Sequence, residues 1–141
     1  MELSVVRKTE TSKLPQKAHM GDLGYDVFAD ESVFLNPGER SLISTGIAIK
    51  ATNGKYGFIL KDRSSMAVKG LFSHAGVIDA GYTGEIKVLL YNASNKPYEV
   101  IKGDKIAQMI PTQVVSFEVN ETTEFGANPT RGDKGFGSTG R

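Results

Sequence analysis

The chain has no cysteine and no tryptophan among its 141 residues, only two histidines, and no long apolar run. The missing thiols exclude disulfides, thiolate metal ligands and a cysteine nucleophile. His19 and His74 alone leave little scope for a histidine zinc cage. A formal net charge of +1 gives no broad field toward duplex nucleic acid or an anionic membrane, so any anion site has to be local. The opening MELSVVRKTE has no basic segment followed by an apolar stretch, so the expectation is a soluble, cytoplasmic or otherwise intracellular protein with no nucleic-acid or membrane partner. One domain of this size can bury about 68 to 70% of the surface its unfolded form exposes.

Also missing is any segment that sustains a 3.6-residue apolar period over three turns, and what is present instead is short apolar runs between turn formers. Strands are predicted at 2–8, 25–29, 32–35, 41–51, 55–60, 84–92, 98–101, 105–110 and 114–119. Asn53-Gly54 is the clearest hairpin signal. The one helical candidate is a turn or two within 64–70. Such spacing suits an all-β sandwich or jelly roll. Beyond Val119 apolar residues are sparse, so 1–119 reads as the β domain and 120–141 as an arm.

Several polar residues stand where chemistry is a reasonable alternative to structure. Alternation puts Gln108 on one face with Ile106 and Ile110, where its amide needs a partner from neighbouring backbone, a bulge or a ligand. Asp26 shares a face with Phe28 and is either a backbone cap or a site residue. In KDRSSMAVKG, residues 61–70, a serine capping a short helix competes with an anion site built from Arg63, Ser64 and Ser65. In HAGVIDAGYTGEIKV, residues 74–88, Asp79 either fixes its own turn or presents a carboxylate beside the Tyr82 phenol. The closing RGDKGFGSTGR joins four glycines, basic ends, hydroxyls and Phe136, and suits either a frayed terminus or a clamp on a planar, phosphorylated ligand.

Taken in order, GYDVFA (24–29), DRSSMA (62–67), GVIDAGYTGE (76–85), GDKIAQ (103–108) and RGDKGFGSTG (131–140) resemble the five motifs of the trimeric dUTP pyrophosphatases, or dUTPases. The resemblance implies a jelly-roll (β-clip type) subunit with a short helix. It also implies a homotrimer with three shared sites and a flexible, glycine-rich C-terminal arm closing the site of a neighbouring subunit. It implies Mg²⁺ as cofactor and hydrolysis of dUTP to dUMP and pyrophosphate, which removes dUTP from the DNA precursor pool and supplies dUMP for thymidylate.

By the same resemblance, Asp79 is the catalytic base that deprotonates the attacking water. Arg63, Ser64, Ser65 and Gln108 bind phosphate oxygens, and Tyr82 packs under the deoxyribose. The segment from Ser73 through Gly76, Val77 and Ile78 to Asp79 reads uracil largely by backbone, with Lys87 contributing from the following strand. Asp26 lies near the metal, through water. From the arm, Phe136 stacks over uracil while Arg131, Gly137, Ser138 and Thr139 engage phosphates.

Some positions depart from the family pattern: Asp62 and Ser65 in the second motif, Thr83 in the third, and His74, which reads as a structural or surface residue. The related dCTP deaminases share the fold and an Arg-Ser-Ser segment, but their glutamate falls at Leu89 and their second arginine at Val68. Neither side chain can replace the missing group. A non-catalytic nucleotide-binding regulatory module is the alternative of a different class, and the retained Asp79, Arg63, Gln108 and Phe136 argue against it.

Overall fold

The computed structural model describes residues 1–127, 130, 132–137 and 140. Eleven short strands and one helical turn and a half follow one another, and every strand pair is antiparallel. β1 (Leu3–Arg7) pairs with β5 (Ile47–Ala51), and β3 (Val33–Leu35) with β10 (Tyr98–Val100). A four-stranded sheet runs β2 (Tyr25–Phe28), β11 (Lys105–Gln113), β6 (Tyr56–Lys61), β8 (Val77–Ile78). A three-stranded sheet runs β4 (Arg40–Ser44), β9 (Lys87–Asn92), β7 (Leu71–His74). The helix α1 (Ser64–Val68) follows β6.

Inward-facing aliphatics from these sheets close on one core. Ile43, Val88, Val100, Ala107 and Met109 are fully buried, with Val27, Leu35, Ile47, Leu71 and Leu90 beside them. The all-β expectation with one short helix therefore holds, but four details differ.

The predicted strand 41–51 is two strands in different sheets. The corner between them is Gly46, at φ +67, where a Cβ would sit 2.6 Å from an Asp30 carboxylate oxygen. Asn53-Gly54 does form a turn, with Gly54 at φ +63. Its flanking strands β5 and β6 nevertheless pair elsewhere, so it is a corner and not a hairpin.

The predicted strand 114–119 is absent. β11 runs three residues further than expected, to Gln113, and after the Val114 amide donates to Lys55 the alternating Val115, Phe117 and Val119 stand exposed. A period-two pattern makes a strand only where an edge accepts it, and no described strand of this chain does. Conversely, β7 and β8 are strands that the apolar pattern does not mark.

The fourth difference bears on the site. β11 shifts register against β2 between Lys105 and Ala107, so the extra residue Ile106 bulges. Ile106 and Ala107 are consecutive and both buried, and alternation then continues with Met109 inside. Gln108 is thus not sandwiched between two buried aliphatics. The bulge turns it to the other face, toward a cleft.

Candidate active site

Two concavities collect most of the sequence-predicted residues. The first, about 460 Å³, lies where β2, β11 and the start of α1 meet, and is lined by Gly24, Asp26, Arg63, Ser64, Ser65, Lys105 and Gln108, with Ala18, Asp22 and Leu23 at its side. Register explains part of this meeting: Gln108 pairs with Asp26 on one side and with Lys61 on the other, which brings the residues just after β6 to the same end.

Three of the four charged residues lining this cleft are already paired. Arg63 Nε donates to Asp26 Oδ1 at 3.2 Å and Arg63 Nη1 to the Lys105 carbonyl at 3.3 Å. Lys105 Nζ lies 2.7 Å from Asp26 Oδ2. Asp26 therefore holds a guanidinium and an ammonium side by side, and the two cations are offset by Asp22 and Asp26 among the lining residues. Gln108 Nε2 donates to the Asp62 carbonyl at 2.8 Å. Gly24 leaves room for that amide, since a Cβ there would stand 2.7 Å from Gln108 Oε1.

Serine capping does not account for the Arg-Ser-Ser segment. Arg63 occupies the cap position, with extended backbone and no side-chain cap bond, so Ser64 and Ser65 are the first two helical residues. Both are exposed and line the cleft, and their first-turn amides have no partner within the helix.

The second concavity, about 260 Å³, is formed by Ala75, Val77, Ile78, Asp79, Tyr82, Glu85, Ile86 and Lys87 with Leu42 and Leu60. Here the β7–β8 turn lies against β6, with the Leu60 amide donating to the Gly76 carbonyl at 2.7 Å. Only glycine fits at 76, because a Cβ would come within 2.4 Å of the Leu60 carbonyl oxygen. Ala75, at φ 52, is a non-glycine residue in the left-handed region at the tip of this turn.

The Asp79 carboxylate is exposed and makes no hydrogen bond or ion pair with any described residue. Its carbonyl, not its side chain, closes the turn by accepting from the Tyr82 amide at 3.0 Å. Tyr82 folds back over Gly84, where a Cβ would come within 2.4 Å of its hydroxyl oxygen, and donates that hydroxyl to the Glu85 carbonyl at 2.9 Å. Lys87 Nζ reaches Glu85 at 4.0 Å.

Within one chain the two concavities share no lining residue. Ser73 lines neither, because its amide and hydroxyl both donate to Asp62. Gly76 supports the second through its backbone contact without lining it. Phe136 is fully exposed at φ 48, followed by Gly137 at φ 84, and neither lines either concavity. Arg131, Ser138 and Thr139 fall outside the described residues. His74 is exposed, its ring tilted against Tyr91 at 6.0 Å.

Sequence reasoning missed Lys105, whose signal was a cation opening a strand immediately after a Gly-Asp turn, and Asp62, noted only as a departure. Among the described residues no three carboxylate or histidine side chains cluster as a metal cage. No helix of the described residues is long and apolar enough to cross a membrane.

The family model described as dUTPase matches residues 10–140. A deoxyuridine 5'-triphosphate nucleotidohydrolase of Mycolicibacterium gilvum is 41% identical, the match covering 98% of this chain and 94% of that one. Among solved structures, the dUTPase of Staphylococcus bacteriophage 80alpha with dUPNHPP superposes with a TM-score of 0.90 at 29% identity, over 99% of each chain. A mutant dUTPase from phage phi11 of S. aureus, solved with a coordinated structural Mg(II) ion, gives 0.83 at 27% identity over 90% of this chain and 100% of that one. The jelly-roll β fold follows from these likenesses.

Proposed function

The chain belongs to the dUTPase family, and from that premise we infer how its two concavities hydrolyse dUTP to dUMP and pyrophosphate. The single observation that carries the reading is the contrast within a chain matched almost end to end. One concavity gathers phosphate-type donors, and the other presents an unpartnered carboxylate beside a phenol.

Arg63, Ser64, Ser65 and Gln108 take the triphosphate, and the turn from Gly76 to Asp79 takes the base. Backbone groups are suited to reading uracil, because cytosine would leave donors and acceptors mispaired on both sides. Tyr82, held over Gly84, forms the floor beneath the sugar. Asp79 accepts a proton from water as the water oxygen bonds to the α-phosphorus and the bond to pyrophosphate breaks. With no hydrogen bond or ion pair to a described residue, its carboxylate has lone pairs open to that water.

The donor set suits Mg²⁺ carried in with the substrate. Two cations and two carboxylates in the cleft cancel formally, so the cleft alone does not neutralise a triphosphate. Asp26 is the carboxylate on hand, and with both oxygens engaged by Arg63 and Lys105 it suits contact through water. When bound, the ion offsets charge developing on the leaving pyrophosphate.

Assembly as a homotrimer with shared sites is supported by the separation of the two concavities, since neither is complete alone. The arm residues Phe136, Gly137, Arg131, Ser138 and Thr139 then close a neighbour's site, the polar ones on phosphates and the ring on uracil. Deaminase chemistry finds no support: Val68 is exposed on α1 and Leu89 sits in β9, and neither carries an acid or a base.

The test is to incubate purified protein with dUTP or dCTP and Mg²⁺, measuring pyrophosphate and ammonia separately. Pyrophosphate from dUTP is expected. Ammonia from dCTP alone, or tight nucleotide binding with neither product, overturns the reading.

A further inference from the structure

We propose that Asp62 is a positioning residue that holds the base-reading turn in register with the phosphate-binding segment of the same subunit, and thereby sets selectivity for uracil over cytosine. The inference rests on the functional reading above.

Asp62 lies between β6 and α1, directly before Arg63. Its Oδ1 accepts two hydrogen bonds from one residue, from the Ser73 amide at 2.5 Å and the Ser73 hydroxyl at 2.7 Å. Its backbone carbonyl accepts from Gln108 Nε2 at 2.8 Å. Three segments far apart in sequence, at 62, 73 and 108, thus meet on one residue. The segments at 62 and 108 belong to the cleft, and the one at 73 leads into the turn.

The placement of Ser73 gives the contact its leverage. β7 is the edge strand of its sheet, paired with β9 on one side only. Asp62 occupies the open side, and the turn carrying Ala75, Gly76 and Asp79 begins two residues after Ser73. Hydrogen bonds to a carboxylate are roughly twice as strong as neutral ones, so this is a firm tether for a short edge strand. Asp62 lines neither concavity and is not placed to touch substrate. It acts through Ser73.

Selectivity is the property most exposed to this tether. A turn that discriminates bases with fixed backbone groups rejects cytosine only while those groups cannot shift to re-pair with it. Gln108 is bonded to a backbone carbonyl, so substituting the Asp62 side chain leaves that link in place and isolates the tether to β7.

Steady-state kinetics of wild type, Asp62→Ala and Asp62→Asn on dUTP and dCTP, with melting temperatures, test the proposal. In Asp62→Ala, which removes both hydrogen bonds from Ser73, the KM for dUTP is expected to rise about tenfold, with kcat changed less and the dUTP-to-dCTP preference reduced. Asp62→Asn keeps an acceptor oxygen and is expected to restore most of both. Wild-type KM and preference in Asp62→Ala overturn the proposal. So does an equal loss in kcat and kcat/KM that follows melting temperature and is not rescued by asparagine. If Asp62→Ala does not fold, Ser73→Ala, which removes only the hydroxyl donor, is expected to raise KM by about threefold with the same loss of preference, and an unchanged preference there overturns the proposal. Absence of pyrophosphate from wild type with dUTP overturns the functional reading itself, whereas active wild type with an indifferent Asp62→Ala overturns only the role of Asp62.

Discussion

Asp26 in the cleft and Asp79 at the turn are carboxylates in opposite situations. In the cleft, Asp26 is shared by Arg63 and Lys105 and the Gln108 amide is bonded to backbone, so these three charged groups and the amide are held by internal partners. At the turn, the Asp79 carboxylate has no partner among the described residues and faces solvent. Groups that bind need fixed positions, and a group that must accept a proton needs a free lone pair. Under the proposed function the cleft takes the phosphates, and the turn takes the base and supplies the proton acceptor.

Breaking the free side has the largest expected effect. Asp79→Asn keeps shape and loses basicity, so turnover is expected to fall by about 10² to 10⁴ with nucleotide affinity retained. Single-turnover rates beside equilibrium dUTP-analogue binding check both halves, and unchanged turnover removes Asp79 as the base.

Breaking the held side has a smaller effect of a different kind. Arg63→Ala strands Asp26 on Lys105 alone and removes a charge-assisted phosphate donor, with an expected loss of about 10- to 100-fold in kcat/KM. Much of it should appear as weaker binding. A loss confined to kcat would mean that the cleft acts in the transition state more than in the ground state.

A third carboxylate sharpens the contrast, because Asp30 is held more tightly than either. It lies just beyond β2, the strand that carries Asp26, with Thr9 and Thr11 donating at 2.5 and 2.8 Å and Lys102 Nζ at 3.6 Å. Burial by itself would push its carboxyl up, but those hydroxyls and the ammonium outweigh it and hold it below the ordinary value. A depressed folded-state pKa contributes stability above the unfolded value of about 3.9, and loses it as pH falls through the folded value. Asp30→Asn is therefore expected to be less stable than wild type at neutral pH, with the gap closing below pH about 4. Denaturant midpoints across that range measure it, and a gap independent of pH contradicts the assignment.

The smallest effect concerns the tip of the turn. Ala75→Gly relieves a positive φ but frees the unfolded chain, so stability should move by no more than about 1 kcal/mol. Melting temperature reports it. A larger loss would mean that the Ala75 methyl, which lines the second concavity, matters more than its backbone.

Much of this contrast was legible in the sequence, and what was not has identifiable causes. Alternating runs gave the longer strands, and the motif resemblance named Arg63, Gln108 and Asp79. Local pattern could not show that Gly46 and Asn53-Gly54 turn the chain between sheets, because both depend on which edge the next strand finds. Nor could it show the bulge at Ile106 that rotates Gln108 into the cleft, or that 115–119 pairs with no described strand. The pairings that organise the site, Asp26 with Arg63 and Lys105, and Asp62 with Ser73, join residues at least 11 positions apart. Their identities were visible, but their meeting was not.

In the proposed assembly the cleft of one subunit works with the turn of another, and complementation measures this directly. Asp79→Asn and Arg63→Ala chains, each impaired alone, are co-refolded in equal amounts and assayed for pyrophosphate release from dUTP. If sites are shared between subunits, random mixed assemblies combine an intact cleft with an intact turn in about a quarter of their sites, and activity returns to that order. Activity no greater than the sum of the two separate variants would place the whole site within one chain and contradict the account.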